Sequence, residues 1–231
     1  MPTISILSGG AAQGLVKALE PAFSASSGFG IEGTFGAVGA MRAKLDAGHP
    51  TDLVILTAAI LAELAKSDIV TADTVTDIGL VETAVAIRAG DPVPAVGSAD
   101  ELRAALLAAD AIYFPDPKLA TAGIHFAGVL EKLGIAAEVE SRLKTFPNGA
   151  TAMAALAKAL EARPIGCTQV TEIKATAGAE LVAVLPQGFD LATRYTAGIV
   201  AGSAHEAAAR ELLTLLTAPS TQAERQRCGF L

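Results

Sequence analysis

Three short loops of small residues each open a helical run. They are Ser8-Gly9-Gly10-Ala11, Gly36-Ala37-Val38-Gly39 and Thr121-Ala122-Gly123. The first turn of a helix presents N–H groups with no intrahelical partner and the positive end of the helix dipole. Such a mouth holds an anion without Lys or Arg, and glycine lets a ligand come close to the backbone. Asn148-Gly149 precedes a fourth helical run, with Asn148 or Gly149 as its N-cap. An apolar strand, Ile165-Gly166-Cys167, ends in Thr168-Gln169, whose polar groups need partners from a loop or a ligand. His125 lies about three residues into the helix opened by Ala122, placed to donate or accept a proton at that mouth. Arg42 is the cation best placed for a ligand with several carboxylates, in the first turns of the helix after Gly39.

Other chemistries lack their residues. There is no GxxxxGK[ST] loop, and Gly36-Ala-Val-Gly-Ala-Met lacks the third glycine of a dinucleotide fingerprint. No nucleophile elbow or Ser/His/Asp order is present. His, Cys and carboxylates nowhere show metal-ligand spacing, so neither metal nor cofactor is expected. Cys167 and Cys228 are expected as two free thiols, with Cys167 in the core. His49 and His205 read as surface positions, and Tyr113, Phe114 and Phe126 as core. A net charge of −7 and a pI near 5.0 argue against nucleic acid and an anionic membrane surface as partners. Mean hydropathy is high, +0.47, because of Ala rather than any apolar run of about 18 residues, so no membrane insertion is expected. Met1-Pro2 leads straight into an apolar strand without a basic and apolar leader. The expected location is therefore cytoplasmic as the chain stands, and periplasmic if a leader has been trimmed.

Elements that could position these loops follow from the hydrophobic pattern. Thr3–Ser8, 30–35 and 52–56 read as strands, each followed by a helical run, a βαβαβα order that predicts a parallel sheet with helices on its faces. A longer strand is expected over 81–88 with no helix directly after it. A capping box, Ser98 to Glu101, starts the next helix. Strands at 111–114, 164–168, 180–185 and 191–200 and helices at 122–133, 150–162 and 170–175 complete a second α/β set and a return. Breaks near residues 80 and 188 divide 231 residues into two lobes, 1–80 with 190–231 and 81–189, joined by two crossings with a cleft and a hinge.

Three segments carry a family likeness: Ile4-Ser-Ile-Leu-Ser-Gly-Gly-Ala-Ala, Phe35-Gly-Ala-Val-Gly with Leu45-Asp-Ala-Gly-His-Pro-Thr-Asp-Leu-Val-Ile, and Asp116-Pro-Lys-Leu-Ala-Thr-Ala-Gly-Ile. Over nearly its whole length the chain resembles the periplasmic molybdate-binding proteins of ABC importers. The resemblance implies a type II periplasmic-binding-protein fold, two α/β lobes with a ligand cleft between them and both termini in the first. The loops and strand end described above, taken with this resemblance, give expected ligand contacts at Gly9, Gly10, Ala11, Ala37, Val38, Gly39, Ala122, Gly123, Asn148, Gly149, Thr168 and Gln169, of which the resemblance itself implies Ala11, Val38, Ala122, Gly149 and Gln169. Ala11 and Val38 stand where the family has serines, and Gln169 where it has a tyrosine. Ala122 and Gly149 match its backbone donors. Each hydrogen bond missing from a desolvated site costs about 1–3 kcal/mol. A tetrahedral dianion is thus poorly served, and a carboxylate is the expected ligand.

Two functions remain open. One is capture of a small anion, with an ABC importer as partner if a leader was removed. The other is isomerisation of an unsaturated polycarboxylate, as in aconitate-isomerase-like members of the same scaffold. That reaction moves a proton and a double bond, needs donors for a dienolate-like intermediate, and would use His125 as proton carrier.

Overall fold

The computed structural model describes residues 1–231. In chain order the elements are β1 (Thr3–Gly9), α1 (Gln13–Ser27), β2 (Gly30–Gly36), α2 (Val38–Asp46), β3 (Leu53–Thr57), α3 (Ala58–Lys66) and β4 (Thr76–Arg88). Next come α4 (Ala99–Ala108), β5 (Ala111–Pro115), α5 (Thr121–Lys132), α6 (Ala136–Val139), β6 (Leu143–Phe146) and α7 (Gly149–Leu156). The chain continues through β7 (Pro164–Gln169), α8 (Val170–Lys174) and β8 (Ala179–Val184), then β9 (Ala192–Ile199), α9 (Glu206–Thr217) and α10 (Gln222–Cys228). It divides into two compact units, Met1–Val81 with Thr193–Leu231, and Glu82–Ala192.

In the first unit the strands run in the order β2, β1, β3, β9, the first three parallel and β9 antiparallel to β3. Ile4, Ile6 and Leu7 of β1 and the Leu53–Leu56 run of β3 are buried. A strand covered on both faces must be apolar throughout, which is why β3 reads as a continuous run rather than an alternation. Helix α1 buries Leu15, Val16, Leu19 and Phe23, spaced to one face of a helix. It packs on α9, which contributes Leu212, Leu213 and Leu216. At the amino end of β3, Asp52 accepts hydrogen bonds from the Ser5 N–H and the Ser203 hydroxyl. His205, whose side chain is 41% exposed, stands 3.4 Å from the same carboxylate.

The second unit has the strand order β8, β4, β7, β5, β6, with β7, β5 and β6 parallel. Helix α5 covers one face. There Ile165 and Cys167 of β7 pack among Phe114, Phe126 and Val129. Helix α7 covers the other, where Gly166 lets Met153 and Leu156 approach the strand. Both cysteines are free thiols, and burial pushes the Cys167 thiol well above its ordinary range, which makes it inert. Tyr113, Phe114 and Phe126 are core, as the sequence suggests. No helix is long and apolar enough to cross a membrane.

Three differences from the sequence reading have physical causes. The expected helix over 150–162 stops at Leu156. Beyond it, Arg88 of β4 takes the carbonyls of Ala159 and Glu161, while the Glu161 side chain accepts from Tyr113 and pairs with Lys144. These tertiary bonds override the helix propensity of Ala-Lys-Ala-Leu. Strand β6 was not expected, because its residues are largely exposed at a sheet edge and carry no apolar pattern. Strand β4 begins at Thr76 rather than 81.

The Glu161 contacts give a testable acid limb. Lys144 and the Tyr113 hydroxyl hold the Glu161 carboxyl down to about 2. Its ordinary value, carried by the unfolded chain, is 4.5. A depressed folded pKa stabilises above the unfolded value, and that stability is lost as pH falls from about 4.5 towards 2. The pair is partly exposed, so its worth is under about 1 kcal/mol. Urea midpoints across that pH range should fall less for Glu161→Gln than for the parent protein; parallel curves would remove the pair from the stability balance.

Candidate functional site

In the first unit, the carboxyl edge of the parallel strands gathers three helix mouths. Gly9 pairs with Gly36, and Ser8 with Ile55, so β2, β1 and β3 end together. Gly10–Ala12 form a single 3-10 turn leading into α1, and no side chain caps it. Helix α2 starts at Val38 with Ala37 as N-cap, again with no side-chain cap. Helix α3 starts after Thr57, whose hydroxyl makes no capping bond. The first N–H groups of these helices have no i−4 carbonyl to meet and face one edge, an arrangement that favours negative charge. Ala11, Ala37 and Val38 are buried and apolar, so the polar groups they present at this edge are backbone ones only.

Gly9 has a second role. A Cβ there would stand 2.9 Å from Cε1 of Tyr195 and 3.2 Å from Cγ2 of Val38. The open side of this glycine is thus filled by the protein's own side chains. Arg42, expected as a cation for the ligand, is already paired. Its Nε donates to both oxygens of Asp46 at 2.8 and 2.9 Å, and Glu63 lies 3.7 Å from Nη1. What this edge offers an anion is therefore helix dipoles and N–H groups.

The second unit repeats the arrangement. Strands β5, β6 and β7 end together, and α5, α7 and α8 start from their carboxyl ends. The mouth of α5, with Ala122 and Gly123, has no side-chain cap. The loop before it is fixed by Asp116, whose Oδ1 accepts from the N–H of Lys118 at 2.7 Å and of Leu119 at 3.0 Å. Gly123 sits directly on this loop. A Cβ would be 2.2 Å from the Asp116 carbonyl oxygen and 2.4 Å from that of Pro115.

The mouth of α7 is different. Asn148 caps it, accepting from the Thr151 N–H at 2.9 Å, with Thr151 returning the bond to the Asn148 N–H. More important is Glu172, a residue the sequence reading missed. Its buried carboxylate accepts the Thr168 hydroxyl at 2.6 Å and the backbone N–H groups of Gln169, Ala150 and Gly149. Burial raises its pKa above the ordinary value, against the opposing pull of these four donors. Gly149 lies directly beneath it: a Cβ there would stand 1.9 Å from Oε2, so any larger residue forces the carboxylate to move. The N–H of Gly149 and the hydroxyl of Thr168, both expected at a ligand, are committed to Glu172.

The sheet divides the remaining residues between its faces. Gln169 points to the α5 side, like Ile165 and Cys167, because alternate residues share a face. Thr83 is its register partner on β4 and so shares that face. The Thr83 hydroxyl is buried and unpartnered, a second residue the sequence reading missed. Its signal was a polar residue next to Glu82 in a strand that is otherwise apolar from Ile78 to Ile87. For Glu172 the signal was a carboxylate three residues after a strand end, at the third position of a helix.

His125 is half-buried in a groove between α5 and the loop at Gly188-Phe189. Its Nε2 lies 2.7 Å from the Phe189 carbonyl oxygen, and Lys132 donates to the Gly188 carbonyl at 2.6 Å. The carbonyl can only accept, so Nε2 is the donor in this bond. The structure thus gives His125 a clamping role on this loop, apart from the Thr168–Glu172 cluster.

The bacterial extracellular solute-binding protein family matches the chain over residues 4–231. An aconitate isomerase from a Pseudomonas species is 26% identical over 220 residues, spanning 93% of this chain and 82% of that protein. The periplasmic molybdate-binding protein of Azotobacter vinelandii superimposes with a TM-score of 0.82 at 16% identity, covering 99% of this chain and 98% of its own. The sulfate-binding protein SubI of Mycobacterium tuberculosis H37Rv does so with a TM-score of 0.75 at 21% identity, over 100% and 86%. The fold is accordingly the α/β fold of the type II periplasmic binding proteins, as the sequence resemblance implies.

Proposed function

The chain belongs to the bacterial extracellular solute-binding proteins, and on that premise we propose that it captures a small carboxylate anion. The observation that carries this reading is the uncapped helix mouths at Gly10–Ala12, Val38–Gly39 and Ala122–Gly123. They offer N–H groups and dipoles suited to an anion, while the only well-placed cation, Arg42, is spent on Asp46. Ala11, Val38 and Gln169 supply no hydroxyl where molybdate binders have one by the resemblance, which favours a carboxylate over a tetrahedral oxyanion. Under this reading the protein works outside the cytoplasm with an ABC importer as its partner.

A second reading is favoured by the likeness to an aconitate isomerase. The same mouths would hold the carboxylates of an unsaturated polycarboxylate, and a base would move its proton. His125 Nδ1 is the expected base, with Nε2 fixed by Phe189.

Proton NMR of the purified protein with cis- and trans-aconitate in D2O separates the two. Broadening of ligand signals without conversion is the expected result for a carboxylate-binding protein. Double-bond isomerisation or protein-dependent deuterium uptake would instead establish the isomerase. Spectra unchanged throughout would remove this ligand class from both readings. If turnover occurs, His125→Ala should lower it by about 100-fold or more, the usual scale of a lost general base. Turnover within a few-fold of the parent would take the proton-carrying role away from His125.

A further inference from the structure

The segment 186–190 follows β8 and is tied at both roots to one residue of β4. The Leu185 N–H donates to the Thr83 carbonyl at 3.1 Å, and the Thr83 N–H donates to the Leu191 carbonyl at 2.9 Å. Between these roots the chain forms a strap with two short-range bonds of its own, from the Phe189 N–H to the Pro186 carbonyl and from the Gly188 N–H to Asp190 Oδ1. Helix α5 holds its tip from outside. His125 Nε2 donates to the Phe189 carbonyl and Lys132 Nζ to the Gly188 carbonyl, at 2.7 and 2.6 Å. The same ammonium lies 4.8 Å from the centroid of the half-buried Phe189 ring. The two latches are about two helical turns apart, so both leave one face of α5. The space they bridge is a cavity of about 340 Å³, bordered also by Ile124, Gly128 and Val129. A strap fastened by two polar contacts across open space loosens locally, at far lower cost than the core.

The same helix carries the anion mouth of the second unit. Its first turn holds Ala122 and Gly123, and Gly123 is seated on the Pro115 and Asp116 carbonyls. With 12 residues α5 is about 18 Å long, and a helix of that length moves as one body. We propose that the 186–190 strap is a latch coupled through α5 to the anion mouth. An anion held at Ala122–Gly123 steadies the helix to which the strap is fastened, and a fastened strap in turn favours the anion. This inference rests on the anion-capture reading above and deepens it with a conformational device. Ordering α5 has an entropic cost, and whichever partner binds first relieves the other of it. The coupling is reciprocal: the factor by which an anion steadies the strap is the factor by which the closed latch tightens the anion.

Hydrogen exchange read by mass spectrometry over 186–191 tests this in the parent protein and in Lys132→Met, alongside calorimetric affinities for cis-aconitate. The substitution keeps an unbranched side chain at an exposed position and removes only the donor. Without ligand, the strap of the variant should exchange about tenfold faster or more, the scale of a lost charged hydrogen bond. Saturating cis-aconitate should slow the parent's strap by about fivefold or more, and Lys132→Met should bind cis-aconitate more weakly by a matching factor. Strap exchange within twofold in the parent and in a folded variant would overturn the latch. Calorimetric binding of cis-aconitate that leaves the parent's strap exchange unchanged would overturn the coupling and leave anion capture standing. That comparison needs the parent alone, so it decides even if the variant fails to fold. Absence of cis-aconitate binding to the parent would overturn anion capture, and the coupling with it.

Discussion

Gly123→Ala should destabilise the second unit by about 2 kcal/mol, although alanine is the better helix former. Propensity alone favours alanine by ~1 kcal/mol inside a helix. Against this stands a Cβ placed 2.2 and 2.4 Å from the carbonyl oxygens of Asp116 and Pro115. Those oxygens belong to backbone held by β5 and by the Asp116 turn, so relief requires α5 to move as a body. Overpacking that shifts backbone costs ~1–3 kcal/mol or more, and it outweighs the propensity gain. Gly128 supplies the control on the same helix, because a Cβ there meets nothing within 4 Å. Gly128→Ala should therefore stabilise by about 0.5–1 kcal/mol. Urea unfolding of the two variants should show shifts of opposite sign. Equal shifts would mean that the first turn of α5 moves freely on its loop, and with it the Ala122 and Gly123 N–H groups.

A larger loss is expected for Gly149→Ala, by a different route. Its Cβ would collide with a side chain, at 1.9 Å from Glu172 Oε2 and 2.2 Å from Thr168 Oγ1. The carboxylate can swing away, but only by giving up the N–H groups of Gly149, Ala150 and Gln169. A buried charge stripped of its partners costs about 3–5 kcal/mol. The same group sets a pH signature. Its folded pKa is raised above the unfolded 4.5, so the folded state holds the proton longer and stability falls as pH rises through that window. A double-mutant cycle with Glu172→Ala checks the assignment. Once the carboxylate is gone, the added methyl loses its principal clash, and the two losses should sum to far more than the double variant shows. Strict additivity would place the strain of Gly149→Ala elsewhere.

Much of this molecule was readable before its coordinates. The alternation of β-branched runs with Ala- and Leu-rich runs located β1, β2, β3, β5 and β7 to within a residue or two, most plainly at β3 and β5, which are buried and apolar along nearly their whole length. The capping box from Ser98 to Glu101 was visible as a short-range pattern and forms; of the two N-cap candidates before α7, Asn148 takes the role, and Thr151 completes a box there. What could not be read depended on partners distant in sequence. Helix α7 ends where Arg88 and Tyr113 claim the following segment. Glu172 looked like one more polar residue in a short helix. Its weight comes from Gly149 and Ala150, which the sheet brings beside it. The glycines were legible as points of close approach, but not what approaches: Tyr195 at Gly9, a backbone loop at Gly123 and a carboxylate at Gly149.

The discontinuous first unit has a consequence for how the chain comes to be folded. Its sheet is complete only when β9 pairs with β3, Leu53 against Ile199, and its core only when α9 lies on α1. Both partners are made last during synthesis. The second unit, Glu82–Ala192, is continuous and can condense while the end of the chain is still emerging. Once condensed, it shortens the effective loop that the β3–β9 pairing must close, and so lowers the entropy cost of that step. The order of assembly therefore runs from the inserted unit outward. A lesion such as Gly123→Ala, confined to that unit, will leave the amino-terminal strands waiting, unpaired, for longer.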